Sequence, residues 1–292
     1  MRLSCEAFAK VNRSLSILGK RPDGFHELDT IFQTIDLSDG LTFEEAPELT
    51  LSIDDPSLPS GEENLVIKAA RALERGFAVT RGAAIHLEKR IPAGGGLGGG
   101  SADAAAALRG LATLWELPSD TAALQPLAEG LGSDVAFFLH GGRARGTGRG
   151  ERIEPLPDAP RELLVLLVPP FSLSTPMVYG RVSAPALTDP PGPSSLLRSD
   201  PGAEPDRNDL EPAAESLSGG LARLREELLR AGATRARLSG SGSTVFGVFP
   251  SEDAARGAAA KLREIVENTK VMVVPTLSRA EFARRAAPRR DA

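Results

Sequence analysis

Six of the seven residues from Gly94 to Gly100 are glycine, and the run opens directly onto an alanine-rich stretch. Glycine ordered inside a regular element costs roughly 0.5–1 kcal/mol relative to alanine, so this density in a folded domain points to a function that needs bare backbone. Glycine admits positive φ and lets a ligand approach the main chain. The first-turn N–H groups of a following helix have no intrahelical acceptor and lie at its positive end. A polyphosphate suits that combination. A disordered linker is the competing reading and would have polar, low-complexity flanks. Instead, Ala84–Ile91 alternates Ile85, Leu87 and Lys89 against His86, Glu88 and Arg90 as a strand does. Downstream, Ala105, Leu108, Leu111, Ala112 and Trp115 fall at helical spacing within a helix expected over 102–114.

Composition narrows the partners. The 292 residues suit two domains, and 41% hydrophobic with 25% charged residues is the balance of a globular protein. A net charge of −5 argues against a nucleic-acid binder, whose affinity would come mostly from a basic surface. Cys5 is the only cysteine, so no internal disulfide forms and a reducing compartment is expected. The first residues lack the apolar core of a signal peptide. The most apolar stretch, Leu163–Val168, is far short of the roughly 20 residues of a membrane span. Together these predict a cytoplasmic protein with a small-molecule substrate, no nucleic acid and no membrane, present as a monomer or weak homodimer.

Extended segments are expected over 4–18, 30–37 and 41–53, and a helix over 63–76. After the glycine loop and its helix come a helix over 119–130 and a second glycine-bearing loop over 141–151. Pro155, Pro157 and Pro160 mark a boundary. Beyond it the pattern reads strand (163–168), helix (208–231), strands (236–238 and 244–249), a helix over 252–266 capped by Ser251, and a strand over 270–274. That βαββαβ order is ferredoxin-like. The stretch from Pro185 to Asp206 holds six prolines and reads as an irregular loop. The expected division is a catalytic domain over 1–157, a ferredoxin-like domain over 158–276, and a solvated basic tail over 277–292.

Three phosphate-binding motifs fail on context. Gly94-x-Gly96-x-x-Gly99 formally fits the dinucleotide fingerprint, but the helix after it runs into Leu117-Pro118-Ser119 and another helix, with no second strand ending in an acidic residue. A Walker loop needs Lys and then Ser or Thr after its last glycine, where Gly100 is followed by Ser101. Neither His-Arg-Asp nor Asp-Phe-Gly occurs.

The run Pro92 to Ser101 is similar instead to the galactokinase, homoserine kinase, mevalonate kinase and phosphomevalonate kinase superfamily. Further segments narrow the match: Ala9-Lys10-Val11-Asn12, Arg21-Pro22-Asp23-Gly24-Phe25-His26-Glu27-Leu28 with Phe32-Gln33, Gly132-Ser133-Asp134-Val135, and Leu238-Ser239-Gly240-Ser241-Gly242-Ser243. In that order, over roughly residues 7–249, they resemble the 4-diphosphocytidyl-2-C-methyl-D-erythritol kinase family. The resemblance implies an α+β protein with a ribosomal-protein-S5-domain-2-like N-terminal domain, a ferredoxin-like C-terminal domain and an active site in the cleft between them. It implies ATP and Mg²⁺ as cofactors and phosphorylation of the 2-hydroxyl of the cytidyl substrate in non-mevalonate isoprenoid synthesis. Two rivals stay open: a related kinase of another small alcohol such as homoserine or mevalonate, and a non-catalytic RNA-binding protein.

Roles follow from the same resemblance. Lys10 would stabilise charge on the moving phosphoryl group, and Asp134 would be the catalytic base. Lys10 and Asn12 are two apart in an extended segment and share a face; Asn12 would hold the polyol. Phe25 and Tyr179 would sandwich the cytosine, His26 would meet its edge, and Thr175 belongs to the same acceptor segment. The nucleotide would meet Asn64, Leu65, Lys89, Pro92, Gly94, Gly95, Gly96, Leu97, Gly98, Gly99, Gly100, Ser101, Ala102, Gly240 and Ser241. Asp103 is read either as a Mg²⁺ ligand or as a first-turn acid facing away from phosphate. The metal ligands are otherwise unassigned. His86 and His140 match nothing and read as structural. Gly146-x-Gly148-x-Gly150 reads as a hairpin turn or as a loop with a role left open.

Overall fold

A computed structural model describes residues 1–183 and 206–291. Two long antiparallel strands, β1 (Arg2–Lys20) and β2 (His26–Ala46), form its spine. Their register shifts between Phe8 and Lys10, Asn12 and Ser14, and Ile17 and Gly19. Such bulges sharpen twist and re-aim side chains, and two of them bracket Lys10 and Asn12. The other edge of β2 changes partner along its length. Residues 40–46 pair with β4 (Gly82–Glu88), and residues 28–33 pair with β5 (Arg143–Gly148). β3 (Thr50–Ile53) runs parallel to β4, and β6 (Arg152–Pro155) pairs with β5.

Helices α1 (Leu65–Phe77), α2 (Gly99–Leu114), α3 (Thr121–Leu131) and α4 (Phe137–His140) belong to the same unit. α1 and α3 begin on side-chain caps, Asn64 accepting from the Val66 N–H and Asp120 from the Ala123 N–H. α2 begins on Gly98 with no side-chain cap, which leaves its first-turn N–H groups open. Its buried face is mostly alanine, so the helix lies close on the sheet, and at Gly110 a Cβ would strike the ring of Phe43.

The second sheet has the order β10-β7-β9-β8, from β7 (Leu163–Val168), β8 (Arg235–Leu238), β9 (Val245–Phe249) and β10 (Lys270–Pro275). Numbered within that sheet the order is 4-1-3-2, the expected ferredoxin-like arrangement. Its helices are α5 (Thr175–Tyr179), α6 (Glu211–Leu217), α7 (Gly220–Arg230) and α8 (Glu252–Ile265). A shared apolar layer joins the two sheets: Ala9, Val11 and Ile35 pack with Leu164, Leu166 and Phe246, and Leu97 of the glycine run is buried in it.

Four expectations need correcting. The helix over 208–231 is two helices, broken at Ser218 and Gly219. The segment over 41–53 is interrupted after Ala46. The stretch over 141–151 is not loop throughout but strand β5 and its turn into β6, which agrees with the hairpin reading of Gly146-x-Gly148-x-Gly150. The basic tail is folded: α9 (Arg279–Ala286) opens on a Ser278–Glu281 capping box, and β11 (Arg289–Arg290) pairs with Leu3 and Ser4 of β1. Phe282 is buried edge-on against Phe8 at 5.9 Å, while Arg285 hydrogen-bonds Glu6 and Asp36. Apolar contact and specific ion pairs thus fix a segment whose charge suggested solvation. The proline-rich stretch, up to residue 205, lies outside the described residues. Among the described residues no helix is long and apolar enough to cross a membrane.

Candidate active site

The glycine loop is pinned from three directions. The Lys10 N–H donates to the Leu97 carbonyl at 3.0 Å, the Ser239 hydroxyl to the Gly96 carbonyl at 2.9 Å, and the Thr244 N–H to the Gly95 carbonyl at 3.0 Å. Gly96 and Gly98 both have left-handed φ, 75° and 74°. A Cβ on Gly96 would run into the Ser239 carbonyl oxygen, and one on Gly98 would lie 2.7 Å from the Phe138 ring. Both positions therefore require glycine by conformation and by space. The helix starts inside the run, at Gly99 rather than at Ala102. Ala102 is consequently buried in the core and does not line the cavity described below.

Lys10 links this loop to the chemistry opposite. Its buried ammonium donates to the Gly96 carbonyl (3.0 Å) and to Asn12 Oδ1 (2.6 Å), and lies 3.3 Å from Asp134 Oδ2. Asn12 is held in turn by Thr30, whose hydroxyl accepts from Asn12 Nδ2 at 2.8 Å and donates to the Ser14 carbonyl at 2.7 Å. Asp134 sits in the turn before α4 with its side chain 33% exposed, so one face of the carboxylate opens to the cavity. A desolvated cation, a half-open carboxylate and a row of bare amides can together hold an alcohol against a phosphoryl group.

The far end of the cavity is aromatic. Phe25 lies at the β1–β2 turn and is 51% exposed. His26 stacks on Tyr179, ring centroids 5.2 Å apart at 30°, so the ring facing Tyr179 is His26 rather than Phe25. Burial, and then Lys20, push the His26 imidazole below its ordinary pKa. Sequence reasoning missed Arg149, on the β5–β6 turn, whose guanidinium lies 4.8 Å from the centroid of the Phe25 ring. The hairpin turn thus also lines the cavity. Only its charge among the loop glycines hinted at this. Thr175 and Ser241 hydroxyls meet at 2.9 Å and join α5 to the 239–243 loop.

Lys89 departs from the expectation of a free phosphate-seeking cation. Its ammonium is gripped by Asp39 (2.5 Å) and Asp103 (2.7 Å). Asp103 thus lines the cavity from just past the first turn of α2, with Oδ2 taken by Lys89 and Oδ1 buried without a hydrogen-bond partner. Burial, reinforced by repulsion from Asp39 and opposed by Lys89, pushes the Asp103 carboxyl up to about 8. Asp39 gave no signal in the sequence, its partners lying 50 and more residues away. His86 meets Ser52 and His140 meets Gln125, and neither lines the cavity.

One cavity of about 990 Å³ collects these groups. Asn64, Leu65, Lys89, Pro92, Gly94 through Gly100 and Ser101 line one end, and Phe25, His26, Thr175 and Tyr179 the other. Lys10, Asn12 and Asp134 lie on the same wall, as do Gly240 and Ser241 from the second sheet's unit. Both units thus contribute walls. Among the described residues no group of three or more His, Cys, Asp or Glu is placed to hold a metal ion.

Residues 64–142 match the GHMP kinases N terminal domain, and residues 196–268 the GHMP kinases C terminal family. The chain is 42% identical over 280 residues to a 4-diphosphocytidyl-2-C-methyl-D-erythritol kinase of Pelotomaculum thermopropionicum, covering 93% of this chain and 97% of that one. It is 39% identical over 285 residues to one of Salinibacter ruber, covering 94% and 100%. A crystal structure of a 4-(cytidine 5'-diphospho)-2C-methyl-D-erythritol kinase superposes with a TM-score of 0.76 at 37% identity, over 94% of this chain and 98% of that chain. The chain belongs to the GHMP kinases and, within them, to the 4-diphosphocytidyl-2-C-methyl-D-erythritol kinase family.

Proposed function

We propose that this protein transfers the γ-phosphoryl group of ATP to the 2-hydroxyl of 4-diphosphocytidyl-2-C-methyl-D-erythritol, a step of non-mevalonate isoprenoid synthesis. The observation that carries the reading is Lys10, a single buried cation that touches the glycine loop through Gly96, the polyol wall through Asn12 and the base through Asp134. In this reading the loop amides and the open end of α2 hold the β- and γ-phosphates. The acceptor hydroxyl lies between Lys10 and Asp134. As its oxygen bonds to the γ-phosphorus, the bond to the β,γ-bridging oxygen breaks, ADP leaves and Asp134 takes the hydroxyl proton. The Lys10 ammonium offsets charge on the γ-phosphoryl oxygens as they move.

Mg²⁺ is part of the proposal. It commonly keeps several waters and uses substrate phosphates with few protein ligands. Of the cavity carboxylates, Asp103 holds Lys89, Asp134 lies beside Lys10 and Glu63 is exposed at the rim, an arrangement that fits a metal carried mainly by the nucleotide. When bound, it would neutralise the β- and γ-phosphates. At the other end the stacked His26–Tyr179 pair and Phe25, with Arg149 over its ring, line the cavity. A cytosine between them stacks on Phe25 and meets the neutral imidazole at its edge. Residues 1–157 with the returning segment 277–291 make the catalytic unit and 158–276 the ferredoxin-like one. A monomer or weak homodimer in the cytoplasm, without a nucleic-acid partner, accords with the net charge of −5 and the buried lone Cys5.

The test is ADP release by the purified protein with ATP, Mg²⁺ and the cytidyl acceptor, with phosphorus NMR locating the new monoester. Turnover with that acceptor, and competition by cytidine diphosphate, are expected. Comparable turnover with homoserine or mevalonate, or indifference to cytidine diphosphate, would refute the assignment.

A further inference from the structure

Asp39 stands behind the glycine loop and outside the cavity, 1% exposed. It occupies the point where β2 begins to pair with β4, next to the Gly40–Glu88 register pair. One carboxylate oxygen accepts from the N–H groups of Arg90 (2.5 Å) and Ile91 (2.8 Å), and the other accepts from the Lys89 ammonium (2.5 Å). The same ammonium donates onward to Asp103 Oδ2, just past the first turn of α2. One buried carboxylate thus holds the three residues that enter the loop directly and the helix that leaves it through Lys89. The space between is tight: a Cβ on Gly99 would lie 3.1 Å from Ile91 Cγ2 and 3.4 Å from Lys89 Nζ. A shift of residues 89–91 therefore reaches the bare amides at the start of α2.

We propose that Asp39 is a positioning residue for the nucleotide, fixing both ends of the glycine loop through the Arg90 and Ile91 amides and the Lys89–Asp103 pair. The proposal rests on reading that loop as the nucleotide cradle. Asp39 touches neither the aromatic end of the cavity nor the Lys10–Asp134 pair, so its loss acts on one ligand and spares the other. In Asp39→Asn the amide oxygen can still accept from the backbone, but the amide nitrogen is a donor facing the Lys89 ammonium. The clamp opens on the lysine side.

The test is calorimetric titration of a non-hydrolysable ATP analogue with Mg²⁺, and separately of cytidine diphosphate, into the wild type, Asp39→Asn and Asp39→Glu. Expected for Asp39→Asn are a loss of about tenfold to a hundredfold in nucleotide affinity, cytidine diphosphate affinity within about twofold of wild type, and partial recovery in Asp39→Glu. Steady-state kinetics should give the matching split, with KM for ATP raised and KM for the acceptor unchanged. Equal losses for both ligands, the mark of a merely structural residue, would overturn the proposal, as would unchanged nucleotide affinity. If Asp39→Asn does not fold, Asp103→Asn cuts only the outgoing arm and must by itself weaken the nucleotide and spare cytidine diphosphate; equal affinities there overturn it too. A wild type that binds cytidine diphosphate but no nucleotide would sink the reading of the loop itself, and this proposal with it.

Discussion

The two ends of the cavity are built from different materials. At the glycine end the surface offered to a ligand is main chain, and Lys10, Ser239, Thr244 and Asp39 hold it from behind by hydrogen bonds to backbone groups. At the aromatic end the surface is side chain, with Phe25 half in solvent and His26 and Tyr179 resting on each other. A backbone site is rigid and has no rotamers to lose, but a single added carbon ruins it. A side-chain site tolerates exchange and is tuned ring by ring. The first suits phosphates common to many kinases, and the second suits the group that distinguishes one acceptor from another.

Between the ends, Asp134→Asn should give the largest change. Replacing the base is expected to lower kcat by about 10²–10⁴ with analogue and cytidine diphosphate affinities retained, read by steady-state assay and calorimetry. Loss of either affinity would mean the carboxylate belongs to one end after all. Next comes Gly96→Ala, which places a Cβ against the Ser239 carbonyl at a left-handed φ. A stability loss of about 1–3 kcal/mol and strongly weakened nucleotide binding are expected, with cytidine diphosphate still bound. Normal nucleotide affinity would break the claim that this end is a backbone surface.

Phe25→Ala tests the other material. Loss of one stacked ring corresponds to about 0.5–1.5 kcal/mol, a rise of about two- to twelvefold in KM for the acceptor, with KM for ATP and the melting midpoint unmoved because the ring is exposed. A drop in melting midpoint would show that Phe25 is packing rather than surface.

The smallest effect is on stability against pH. The Asp103 carboxyl is raised to about 8 by burial first, so the folded state binds its proton more tightly than the unfolded state. That contribution is complete below about pH 4 and is lost as pH rises towards 8. Melting midpoints of wild type and Asp103→Asn should converge or cross in that direction, and parallel curves would contradict the buried-acid account.

The backbone end was the more legible in the sequence, because a site made of glycine announces itself by composition. Lys10, Asn12 and Asp134 showed only through their motifs, and the geometry adds that one lysine touches the loop and both partners. The bulges hid the lengths of β1 and β2, since each shift of register changes the phase of the alternation. The helix start was misplaced because glycine was taken as loop, whereas here it forms the uncapped first turn. Asp39 left no trace because its partners are distant in the chain, and Arg149 showed only as a charge among glycines because the ring it covers is far away in sequence. The basic 277–292 stretch misled in the opposite way: its Arg285 is paired with Glu6 and Asp36, and its Asp291 with Arg2, near the other end of the sequence.

That last contact bears on how the protein is made. β1 is made well before residues 279–290, yet the short strand that pairs with its Leu3 and Ser4 and the phenylalanine that covers Phe8 belong to that later segment. Until that segment is made, the strand that carries Lys10 has an open edge at Leu3 and Ser4, the kind of surface on which nascent chains pair wrongly with one another. Truncations or bulky fusions that keep residues 279–290 from docking should therefore be felt first as poor yield of folded protein, before any step of catalysis is reached.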